Sequence, residues 1–342
     1  MSTLKAGTEG MDISKKFCGK NVLITGGLGF IGSNLARRLV KYEARVLLVD
    51  SLIPEYGGNL FNIKDIADKV EVNIADVRDV HSMRYLVQGR DYLFNLAGQT
   101  SHLDSMKDPY TDLEINCRAQ LSILEACRNY NPGIKIVFAG TRQIYGVPDY
   151  LPVDERHLLH PTDVNGINKM AGEWYHILYN NVYGIRACAL RLTNTYGPRM
   201  RVRDARQTFI GLWLRQIVKG EDIKVFGDGR QLRDFNYVDD VTEAFLLAAV
   251  SKNAYGSVFN LGSDGPVSLK DLADLLVELN GGGTFSIVPF PEDKKRIDIG
   301  DYYADFQKIS SALGWQPRTS LRNGLKLALR YYRKFGRYYW DE

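Results

Sequence analysis

The chain has 342 residues, 45% of them hydrophobic and 25% charged, with a formal net charge of +4 at neutral pH. That is ordinary globular composition, long enough for one large α/β unit or two close-packed lobes, and the charge is too small to argue for a nucleic-acid partner. No apolar run approaches the roughly 20 residues that span a bilayer, which argues against an integral membrane protein.

Residues 1–20, MSTLKAGTEGMDISKKFCGK, lack the apolar core of a signal peptide and are expected to form a flexible tail. NVLITGG then reads as a strand entering a glycine turn, FIGSNLARRLVKY as a helix and RVLLVD as a second strand. KVEVNIADVRD supplies a third strand and DYLFNLAG a fourth. LEINCRAQLSILEACRNY reads as one long helix, KIVFAG as a fifth strand, 165–183 as a helix and RACALRLTNTYG as a sixth strand. Strands alternate with helices and are almost continuously apolar, which predicts a parallel sheet covered on both faces. We therefore expect a doubly wound, Rossmann-type α/β domain over 21–196.

Beyond about Gly197 the pattern loosens. TFIGLWLRQIVKG, VDDVTEAFLLAAV, SLKDLADLLVELNGG and ADFQKISSALGW read as helices, and IKVFGDG, VFNLGS and SIVPFP as short strands. The last segment, rich in Arg, Lys and Tyr, reads as an amphipathic closing helix with a solvated basic face. The expectation is a smaller substrate-binding lobe over 197–342, with 235–262 returning to the main sheet. Cys18, Cys117, Cys127 and Cys188 form no CxxC pair, so no metal or redox site is expected, and reduced thiols fit a cytoplasmic protein.

The chemistry starts at TGGLGFIG, where Gly26, Gly29 and Gly32 stand in a GxxGxxG spacing between strand and helix, followed by Phe30 and Ile31. Glycine lets the backbone approach a pyrophosphate, and the helix N-terminus offers N–H groups and positive potential. Asp50 ends the second strand. A carboxylate there can accept both ribose hydroxyls of NAD and would repel the phosphate of NADP, so NAD is the expected cofactor.

TGGLGFIG, Asp50, IADVRD, NLAGQ, GTRQIYG, NTYGPR and RDFNYVDD together resemble the extended short-chain dehydrogenase/reductases, more narrowly the nucleotide-sugar epimerase/dehydratase family. The resemblance covers nearly the whole chain after residue 20. It implies that Asp76 and Val77 lie against the adenine, and that Leu96, Ala97 and Gly98 line the cofactor. It places Thr141 at the family's catalytic Ser/Thr position, and has Asn116 bond the backbone near the active site. Asn194 would contact the sugar nucleotide, Arg199 and Arg233 its diphosphate, and Lys295 or Arg296 a phosphate or the base. It also implies a homodimer built through helices equivalent to 113–130 and 165–183.

The departures matter as much. In PTDVNGINKMAGE, Lys169 and Glu173 keep the Tyr-x-x-x-Lys spacing, but the tyrosine position holds Asn165. Asparagine has no proton to exchange in the useful range, so the base must come from elsewhere. His102, Tyr145 or Lys169 itself are the candidates. Arg142 and Gln143 follow Thr141 where related 4,6-dehydratases carry an Asp-Glu pair that removes water. Related UDP-glucuronate decarboxylases keep a Glu there, also absent. Asn95 stands where His is common, and Arg118 has no ready explanation. The resemblance thus favours an NAD-dependent nucleoside-diphosphate-sugar epimerase that oxidises the sugar transiently. The alternatives are an atypical dehydratase or oxidase, and a non-catalytic protein that binds NAD or a sugar nucleotide.

Overall fold

The structure, a computed structural model, describes residues 12–340. Seven parallel strands form the main sheet. Six follow the expected segments: β1 (Asn21–Thr25), β2 (Arg45–Asp50), β3 (Val70–Ile74), β4 (Tyr92–Asn95), β5 (Lys135–Thr141) and β6 (Arg186–Leu192). Their order is 3-2-1-4-5-6, and strand Val258–Asn260 adds a seventh beside β6. The order reverses between β1 and β4, and ligands of such sheets bind in the crevice that this reversal opens at the strands' C-terminal ends.

Burial follows the apolar runs. Val22, Ile24, Leu48, Phe94 and Val137 face one helical layer with Leu35, Phe245 and Leu246; Leu23, Leu47, Leu93 and Ile136 face the other with Ile123, Leu124 and Tyr179. A separate core, built on Trp213, Leu214, Ile217, Leu272, Leu276, Leu329 and Tyr332, holds the C-terminal segments together. The basic closing segment is the helix Leu321–Phe335, whose apolar face supplies Leu325, Leu329 and Tyr332 to this core.

Three differences from the sequence reading have simple causes. Residues 12–20 are not a loose tail: Asp12 caps a short helix, Ile13–Phe17, and Phe17 is fully buried against Tyr92 and Phe94. The remainder of that expected tail, 1–11, lies outside the described residues. The expected single helix over 113–130 is broken by a π-helical turn, Glu114–Arg118, between Pro109–Leu113 and Ala119–Tyr130. Such turns redirect side chains locally, and this one puts Ile115 in the wall of the main cleft. Helix Gln307–Leu313 and Trp315 pack into the core of the main sheet, although they fall inside the stretch expected to form the C-terminal lobe.

The two odd residues also find explanations. Asn95 is buried, accepting from the Thr25 hydroxyl at 2.9 Å and donating to Gln120 at 2.7 Å. Arg118 lies on the surface and pairs with Glu114 one turn earlier. Among the described residues no helix is long and apolar enough to cross a membrane.

Candidate active site

One cleft of about 700 Å³ opens at the C-terminal ends of the strands, between the sheet and the C-terminal segments. Its floor starts at the glycine turn. Gly26 takes φ +66°, and a Cβ there would meet the Ala97 backbone at about 3.0 Å. A Cβ on Gly32 would lie 2.3 Å from the Gly26 carbonyl oxygen, so the helix Phe30–Lys41 can start this close to β1 only with glycine there. The Thr25 hydroxyl accepts from Leu96 N (3.0 Å) and Ala97 N (3.2 Å), locking the loop after β4 beside the turn.

Asp50 lies in the cleft wall. Its carboxylate accepts from Leu28 N at 3.0 Å and Leu52 N at 2.9 Å, while burial pushes its pKa upward. Asp76, Val77 and Gly98 complete this half, with Phe30 and Ile31 at the helix start. A bare, Cβ-excluding glycine turn at a helix N-terminus, with an acid at the end of the next strand, fits a dinucleotide. Replacing Asp50 by Asn is expected to weaken NAD binding about 10- to 100-fold, since hydrogen bonds to charged groups contribute about 1.5–3 kcal/mol. The same change should narrow the preference for NAD over NADP; calorimetric titration of both nucleotides checks this.

At the centre stand Thr141, His102, Asn165 and Lys169, all lining the cleft. Thr141 ends β5, and its hydroxyl accepts from Gln143 N at 3.2 Å. Lys169 is buried, bonded to the Ala139 carbonyl at 3.3 Å and set over the Phe138 ring. Burial draws its pKa down to about 8, against an opposing pull from Asp112. A Cβ on Gly98 would sit 2.7 Å from the Lys169 ammonium, so this glycine makes room for it.

Asn165 is tied into the wall. Its Nδ2 donates to the Gln99 carbonyl (2.8 Å) and to Asp112 (3.0 Å), a buried carboxylate that also accepts from Asn116 and Asn168. His102 begins the helix His102–Lys107, which docks on Asn165 through Ser105. Its Nδ1 lies 2.9 Å from the buried Asp163 carboxylate, close but not aligned as a hydrogen bond. Asp163 itself is held by Gly166 N and Gln143.

Five residues expected in the site are placed elsewhere. Tyr145 is fully buried, its hydroxyl between Asn260 (2.7 Å) and Arg191 (2.6 Å), and burial raises its pKa far above the ordinary phenol value. Arg191 is clamped at the same time by Glu173 through two hydrogen bonds, so this trio is a structural tie behind the sheet's end. Arg199 has φ +73°, which turns its side chain away to Asn34 and the Tyr331 ring. Asn116 lies behind the wall, against Gln99 and Asp112. Lys295 and Arg296 are exposed; Lys294 faces the cleft instead, because successive residues of one helical turn point about 100° apart. Arg206, Lys224 and Phe226 also line the cleft and escaped the sequence reading, as they sit in no recognisable motif. Asn194 and Arg233 line the cleft, Arg233 donating to Leu232 O at 2.9 Å and lying 3.4 Å from Asp298.

A family model described as the NAD dependent epimerase/dehydratase family matches residues 22–262. The chain belongs to this family, and NAD is its cofactor. Over 306 residues it is 35% identical to a Methanocaldococcus jannaschii protein named for UDP-glucose 4-epimerase, covering 89% of this chain and 96% of that one. Among solved structures, it is similar to UDP-glucose 4-epimerase of Thermotoga maritima with UDP-glucose: 31% identity, TM-score 0.82, 92% of this chain and 99% of that one. It is also similar to UDP-glucose 4-epimerase of Thermus thermophilus complexed with NAD: 28% identity, TM-score 0.81, with the same coverage. The chain is thus an NAD-dependent enzyme of the nucleotide-sugar epimerase class.

Proposed function

We propose that the protein epimerises a uridine-diphosphate sugar in the cytoplasm, with His102 in place of the missing tyrosine. The single observation that carries the proposal is the meeting of Thr141, Lys169 and the His102–Asp163 pair in the cleft that also holds the glycine turn and Asp50. NAD, when bound, supplies reversible hydride acceptance, so the reaction shows no net redox change. Thr141 holds the reacting hydroxyl by hydrogen bond. His102 takes its proton, leaving the oxygen negative as the carbonyl forms, and returns it after the sugar presents its other face. Asp163, 2.9 Å from Nδ1, places a negative charge beside the imidazole. Lys169 keeps a positive charge beside the developing oxyanion. Asn165 stays in the wall, its amide committed to Gln99 and Asp112. Asn194 and Arg233 bind the substrate, with Lys294 and Arg206 as further cations in the cleft.

Incubation with a panel of nucleoside-diphosphate sugars in heavy water, followed by chromatography and mass spectrometry, tests the reading. A new peak at the substrate's mass without deuterium is expected. Incorporated deuterium would instead indicate enolisation, and a product lighter by one water a dehydratase. No new product from any sugar, with NAD bound, would sink the enzymatic reading in favour of a binding protein.

A homodimer belongs to the same proposal. Helix Val164–Tyr183 leaves Ile167, Trp174, Leu178 and Val182 exposed at spacings of 7, 4 and 4 residues, an apolar stripe on the surface of the described residues. Contiguous apolar surface of this kind is what subunit contacts cover. Trp174→Glu combined with Leu178→Glu is expected to convert a dimer into a monomer in sedimentation; a wild-type monomer would defeat the expectation.

A further inference from the structure

Arg142 is the residue after Thr141, at the place where an acid would serve a dehydratase. It lines the cleft and retains partial exposure to it, yet it lies deep enough that burial draws its guanidinium below its ordinary range. Nη2 donates to the Asn194 amide oxygen at 3.3 Å, and the guanidinium sits 5.3 Å over the Tyr302 ring. Nη1 is cut off from solvent and has no hydrogen-bond partner among the described residues. A buried guanidinium N–H without an acceptor is costly, and arginine favours planar acceptors that can take two parallel bonds.

The nearby acids do not fill this vacancy. Asp298 is taken by Gln231 (2.6 Å), Gly300 N (3.1 Å) and Arg233 (3.4 Å). Asp234 accepts from Ala304 N at 3.1 Å, and burial raises its pKa to about 6. It exerts an electrostatic pull on Arg142 but forms no ion pair with it. The guanidinium thus donates one hydrogen bond, to a neutral amide, and keeps an N–H without an acceptor at the wall of the cleft.

We infer that Arg142 binds a carboxylate on the sugar ring, so that the preferred substrate is a nucleoside-diphosphate uronic acid. The inference rests on the epimerase reading above and adds a substrate class to it. Arg142 is joined directly to Thr141, and Asn194 bridges to it from the other wall, so its fork belongs to the sugar end of the cleft. A sugar with a neutral hydroxymethyl group would leave Nη1 without a charged acceptor. A carboxylate would give that N–H one. The competing source of negative charge is the diphosphate, which every nucleotide sugar carries.

Calorimetry on the NAD-loaded enzyme with UDP-glucuronate, UDP-glucose and UDP separates the two. Wild type is expected to bind UDP-glucuronate about 10- to 100-fold more tightly than UDP-glucose, the range of a hydrogen bond to a charged group. Arg142→Gln should remove most of that difference, and Arg142→Lys, which keeps the charge without the fork, should restore part of it. Equal wild-type affinity for the two sugars overturns the inference. So does an Arg142→Gln variant that loses UDP, UDP-glucose and UDP-glucuronate to the same extent, which would place the contact on the diphosphate. The wild-type comparison needs no variant to fold. Turnover is read separately, so tight uronate binding without epimerisation defeats the reaction assignment and leaves the carboxylate contact standing. Absence of binding by all three overturns both.

Discussion

His102→Gln is expected to lower kcat by about 10²–10⁴-fold, the usual worth of a positioned general acid–base group. Asn165 carries no exchangeable proton in the working range, and its amide is already committed to Gln99 and Asp112. Tyr145 is sealed between Asn260 and Arg191 and is pushed away from ionisation by burial. His102 remains as an imidazole on the cleft wall with a buried carboxylate at 2.9 Å. Glutamine preserves bulk and polarity but cannot carry the proton, so KM should move little while kcat falls. Asp163→Asn makes a companion test, because an amide oxygen can still accept from Gly166 N at the helix start. Its kcat should fall by less than that of His102→Gln. Full turnover in His102→Gln would remove His102 from the mechanism.

Lys169→Met is expected to lower kcat by about 10²–10³-fold, comparable to removing one donor from an oxyanion site. The ammonium is buried beside Gly98 and the Ala139 carbonyl, where its charge is poorly screened. Burial lowers its pKa to about 8. The useful, protonated form predominates below about pH 8 and is lost as pH rises through that value. Activity should therefore decline on the alkaline side with a limb near pH 8. In Lys169→Arg, which stays charged throughout, any residual activity should lack that limb. A wild-type profile flat to pH 10 would contradict this role.

Much of this was legible in order along the chain. The glycine turn, the acid ending β2 and the alternation of apolar strands with helices are local patterns, set by backbone freedom and by period. Thr141, Asn165 and Lys169 were readable from the resemblance of their segments to the family's motifs, and they line one cleft. Arg199 and Lys295 were not, because being near a motif says nothing about direction. A left-handed backbone turns Arg199 aside, and one residue's rotation on a helical turn exchanges Lys295 for Lys294. The short helix before β1 was missed because five residues carry too little period to register, and Phe17 declares itself only by burial.

By itself, then, the amino-acid order determined the parallel α/β architecture, the NAD cofactor and the asparagine at position 165, since each depends on residue type at short range. The tertiary structure alone decided which distant side chains meet in the cleft. His102 meets Asp163 across 61 residues, and Arg142 meets Asn194 across 52. Pairings over such distances arise only when separate strands and loops converge at one sheet edge, where burial determines which polar atoms keep a partner and which are left open.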